Sequence, residues 1–75
     1  MNSYQLKLVT SIPEVRIILY LPLSSNPKRK VRFLITKANS GEFDLRWYYS
    51  HKEVKHSLLR NKILNILKQE GYLDD

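Results

Sequence analysis

Lys7, Arg16, Tyr20, Arg32, Arg46 and Tyr48 occupy the outward positions of runs of alternating polar and apolar residues, so in strands their side chains leave one side of a sheet. Cations displace the counterions that surround phosphates, and phenol rings are flat enough for exposed bases to stack on. That pairing of charge and ring suits single-stranded RNA or DNA. Lys28, Arg29, Lys30, Arg32 and Lys37 fall within ten residues that hold no acid, and they account for nearly all of the net charge of +6: without them, eight basic residues face seven acidic ones. A field so localised steers an anionic partner to one side of the molecule. The expected nucleic-acid-binding set is therefore Arg16, Tyr20, Lys28, Arg29, Lys30, Arg32, Arg46 and Tyr48, with Lys52, Lys55, Lys62 and Lys68 as a further backbone track.

The same side chains also suit a protein-interaction module, such as an adaptor, assembly factor or small inhibitor docking on an acidic surface, because arginine and aromatic residues dominate interfaces. Val9, Ile18 and Leu34 interrupt the polar face with apolar groups, and Leu58 and Leu64 flank the helical stripe described below; these five are the candidate interface residues. A homodimer that pairs sheets across Ile18, Leu34 and Tyr48 is a third arrangement. Glu14, Glu42 and Asp44 share the outward side, with Asp74 and Asp75 at the end of the chain, and they confine any binding path to the centre of the sheet and the long basic loop.

Catalytic and metal chemistry find little support. His51 and His56 are the only histidines, and five residues apart on a helix they do not converge on one metal. Asp44 followed by Glu53, Val54 and Lys55 resembles the carboxylates and Glu-x-Lys of many metal-dependent nucleases, but those place the triplet on a core strand, whereas here it falls in the first turn of an expected helix. Two glycines cannot build a glycine-rich phosphate loop, and a chain of 75 residues has little room for a deep pocket. A non-enzymatic protein without cofactor or metal is expected.

The chain contains no cysteine, which excludes disulfides and thiolate metal sites and fits a reducing, cytoplasmic setting. The longest apolar run, Ile17 to Leu21, is too short for a membrane span, so no membrane partner is expected. Hydrophobic residues at 43% suffice for a core.

These side chains need a scaffold. Alternation predicts strands over 4–10, 14–21, 30–37 and 42–49, separated at Pro13, by the connection Pro22 to Lys30, and by Ala38 to Gly41, where Gly41 takes the left-handed position of a short hairpin loop. The inward set is Leu6, Leu8, Val15, Ile17, Leu19, Leu21, Val31, Phe33, Ile35, Phe43, Leu45, Trp47 and Tyr49. Register sets Phe33 opposite Trp47, Ile35 opposite Leu45, and Arg32 opposite Tyr48. Ser50, with Glu53 three residues on, forms a capping box for a helix over 51–70 that ends at Gly71, and Leu59, Ile63, Ile66 and Leu67 form its apolar stripe. His56 lies toward that stripe. The expected architecture is a single α+β domain: a four-stranded antiparallel sheet in β-β-β-β-α order with one C-terminal helix packed on one face.

This order of elements resembles, in topology, the transcriptional-coactivator and Whirly type of single-stranded DNA binders, which implies an oligomeric nucleic-acid-binding protein. The stretch LLRNKILNILKQEGYL, Leu58 to Leu73, is similar to a helix of one small-subunit ribosomal protein family and covers about a fifth of the chain. No residue role is carried over from either.

Overall fold

The computed structural model describes residues 4–22 and 28–73, so the middle of the Pro22 to Lys30 connection and the two terminal aspartates lie outside the described residues. The strands are β1 (Gln5–Thr10), β2 (Val15–Pro22), β3 (Lys30–Lys37) and β4 (Phe43–Trp47), and the helix is α1 (Ser57–Gln69). They form an antiparallel meander in the order β1-β2-β3-β4, followed by one C-terminal helix. Pairs Phe33↔Trp47 and Ile35↔Leu45 sit where alternation sets them.

One face of the sheet is closed by the helix. Ile17, Leu19, Leu21, Phe33, Ile35 and Leu45 from the strands are buried with Ile63, Ile66 and Leu67 from the helix, as period-two and period-3.6 patterns require when each lays its apolar side on the other. Phe33 and Trp47 add a tilted ring contact at 4.8 Å. The helix ends in a Schellman arrangement: Tyr72 N–H donates to the Leu67 carbonyl, Gly71 N–H to that of Lys68, and Gly71 takes φ of 84°. Gly41, at φ of 94°, closes the β3–β4 loop by donating to the Ala38 carbonyl.

The helix begins at Ser57, six residues later than the sequence leads one to expect, and neither Ser50 nor Glu53 caps it. The reason lies in the edge of β4. After a turn with His51 at φ of 61°, residues 52–54 run back along that edge: Trp47 N–H donates to the Lys52 carbonyl, Val54 N–H donates to that of Leu45, and Glu53 bridges Arg46. Edge-strand amides and carbonyls demand partners, and this short return supplies them at the expense of two helical turns. Val54 thereby enters the core fully buried. Ser50 instead accepts from the Lys52 N–H at 3.3 Å, and Arg60 ties the helix to the return by donating to the Val54 carbonyl.

Two residues assigned to the inward set are not in the core. Tyr49 is 74% exposed, because β4 stops at Trp47 and the alternation lapses in the turn. Leu8 faces inward opposite Ile17 but is 51% exposed, since β1 is an edge strand beyond the cover of the helix. The β1–β2 register shifts between Leu8 and Thr10, making Val9 the extra residue of a bulge. His56, expected against the apolar stripe, is exposed and stands as the N-cap residue of α1. Among the described residues, no helix is long and apolar enough to cross a membrane.

Candidate nucleic-acid interface

Antiparallel register lays the outward side chains in rows across the sheet, about 7 Å apart along the strands. One row is Gln5, Tyr20 and Arg32, continued onto the chain after β4 by Tyr48, whose N–H donates to the Arg32 carbonyl. The next is Lys7, Ile18, Leu34 and Arg46, and the third is Thr10, Arg16, Thr36 and Asp44. Beyond the first row, at the opposite end, Lys30 pairs with Pro22.

Arg32 is the centre of the first row. Its guanidinium carbon lies 5.4 Å from the centroid of the Tyr20 ring, 5.8 Å from that of Tyr48 and 5.7 Å from that of Tyr49. A guanidinium held over aromatic faces keeps its in-plane N–H groups available for a bidentate contact to phosphate. Tyr48 and Tyr49 meet edge to face, with centroids 5.2 Å apart and planes at 88°, so two consecutive residues contribute rings to one cluster. Tyr20 and Tyr48 are half-buried, whereas Arg32 and Tyr49 are exposed. Lys28, Arg29 and Lys30 are exposed where the chain enters β3 and extend the positive end of the face.

The other two outward arginines are occupied. Arg16 donates to Glu14 through Nε and Nη2, at 3.0 and 2.7 Å. Arg46 donates through Nε to Asp44 at 2.8 Å and through Nη1 to the His51 carbonyl at 2.8 Å. Its pKa is raised above the ordinary arginine value, first by the hydrogen bond to Asp44 and then by the charge of that carboxylate. The outward face is thus polarised: rings and exposed basic residues gather at the Tyr20–Arg32 end, and arginines already paired with carboxylates at the Asp44 end. Ile18 and Leu34, opposite one another and half-buried, form the divide.

No family model, curated protein or solved structure matches this chain.

Among the residues expected to bind, Tyr20, Arg32 and Tyr48 come together, with Lys28, Arg29 and Lys30 beside them, while Arg16 and Arg46 stand apart with acidic partners. Tyr49 joins the cluster although parity assigned it to the core, because β4 stops at Trp47 and a turn follows. Of the backbone track, Lys52 and Lys55 precede the helix. Of the candidate interface residues, Val9 sits in the bulge of β1, Leu58 is 73% exposed, and Leu64 is half-buried against the core. Among the described residues no three His, Asp or Glu side chains gather as a metal site.

Proposed function

We propose that this protein binds single-stranded RNA or DNA, without catalysing a reaction, on the Tyr20–Arg32–Tyr48–Tyr49 patch and the adjoining Lys28, Arg29 and Lys30. The observation that carries the proposal is the position of Arg32 within reach of three phenol rings at the basic end of an open sheet face. Tyr49 and Tyr48 serve as stacking platforms, Arg32 engages one phosphate from between them, and the basic run takes the neighbouring phosphates. The patch is small, so recognition rests on ring faces and backbone charge and is only weakly selective for sequence. The lack of cysteine supports a reducing, cytoplasmic setting.

A fluorescence titration with mixed-sequence single-stranded oligonucleotides at a series of salt concentrations tests this. With two to four phosphates neutralised, log affinity falls against log salt with a slope of about 1.5 to 3 for single strands. Binding that ignores salt, or no binding at low salt, refutes it.

Protein docking is the alternative with a specific observation behind it: the apolar pair Ile18 and Leu34 sits in the middle of the face. Ile18→Lys together with Leu34→Lys separates the two, since added charge leaves or strengthens binding to nucleic acid and disrupts an apolar interface.

A further inference from the structure

On the helix side of the sheet, where β4 and the start of α1 meet, Trp47, His56, Leu58, Leu59 and Lys62 line a hollow of about 430 Å³. The Arg32 patch plays no part in it. Its walls are apolar: the Trp47 ring packs on Phe33 toward the core, Leu59 is half-buried, and Leu58, a large apolar residue, is 73% exposed. Its polar groups are both basic. His56 and Lys62 are exposed, no acidic residue lines the hollow, and among the described residues neither takes part in an ion pair.

We propose that this hollow is a docking site for a segment of a partner protein that presents one bulky apolar side chain flanked by carboxylates. The apolar side chain seats against Trp47, Leu58 and Leu59, and the carboxylates meet Lys62 and His56. A residue filling a pocket, ringed by complementary charge, is the usual anatomy of an interface anchor. Two observations choose this occupant. The hollow stands open to solvent at Leu58, whereas sites for small molecules enclose most of their ligand. A second copy is disfavoured because it brings another net charge of +6. Tyr20, Arg32, Tyr48 and Tyr49 do not line this hollow.

Trp47 is the only tryptophan, so its emission reports on the hollow directly. The full chain is titrated with a tryptophan-free dodecapeptide carrying a central Phe between Asp and Glu residues, and with two control peptides, one with Phe replaced by Ser and one with the acids replaced by Lys. The expected result is a saturable blue shift of Trp47 emission that each control peptide weakens about tenfold or more. Leu58→Ser and Lys62→Glu, both at exposed positions, each weaken the acidic peptide at least about fivefold with unchanged circular dichroism. The lysine-bearing peptide regains affinity for the Lys62→Glu protein. The proposal is overturned if the acidic peptide behaves like its controls, or if Leu58→Ser and Lys62→Glu leave its binding unchanged. An emission shift that follows protein concentration without peptide also overturns it, because a second copy then fills the hollow.

Discussion

Arg32 and Tyr20 face each other across the β2–β3 ladder, and the guanidinium carbon of one lies 5.4 Å from the ring centroid of the other. A cross-strand pair of this kind holds the cation at a fixed height above the sheet, within reach of Tyr48 and Tyr49 from the far side.

Arg32→Lys retains the charge and loses the planar group that rests among the rings. Single-strand affinity is expected to fall, because an ammonium neither stacks on tyrosine faces nor presents two parallel donors to a phosphate. Arg32→Ala goes further and lowers the salt slope by about 0.7, the share of one phosphate on a single strand. Titrations of both variants at several salt concentrations read the two effects separately.

Tyr49→Ala removes a ring that is 74% exposed and contributes nothing to the core, so the thermal midpoint should hardly move. Affinity for single strands should fall by about 1 to 3 kcal/mol if a base stacks there. An unchanged affinity would remove Tyr49 from the site.

Arg46→Ala is expected to cost binding much less than Arg32→Ala, since Asp44 and the His51 carbonyl already hold that guanidinium. The same reasoning covers Arg16→Ala, because Glu14 neutralises that side chain. Equal losses for Arg46 and Arg32 would mean that the phosphate path crosses the whole face.

Ser50→Ala probes the helix start. An N-cap serine contributes about 1 kcal/mol, but Ser50 makes only a 3.3 Å contact to the Lys52 N–H in a turn seven residues before α1. Urea denaturation should therefore show a loss well below that figure. Phe33→Ala, at the centre of the core, should cost about 3 to 5 kcal/mol in the same measurement.

Four strands, the β3–β4 register and one terminal helix were legible in the chain because each depends on a local pattern, whereas the bulge at Val9 that shifts the β1–β2 register was not. Alternation over Val15–Pro22 and Lys30–Lys37 leaves a single choice of inward face, and a slip by one residue would put Ile17, Leu19, Phe33 and Ile35 in water. Gly71 also marked the helix end from sequence, since a left-handed residue there satisfies the last carbonyls. The start of the helix was not legible. Ser50 and Glu53 have the spacing of a capping box, yet the unpaired edge of β4 recruits residues 52–54 as backbone partners, a demand that exists only once the sheet has formed.

The sequence by itself determined most of the residues that lie under the sheet, though not the exposure of Leu8 and Tyr49 or the burial of Val54, as well as which end of the chain covers them and that a basic run enters β3, because apolar periodicity and charge density are properties of contiguous residues. Only the tertiary structure decided where the tyrosines gather. Arg16 and Arg46 each follow an acid two residues earlier on the same face, a pairing local to their own strands, whereas Arg32 follows Lys30 and is surrounded by tyrosines that folding brings in from two other parts of the chain. Tyr49 joined that cluster for the same reason, since the turn that follows Trp47 and the buried Val54 together release it from the core.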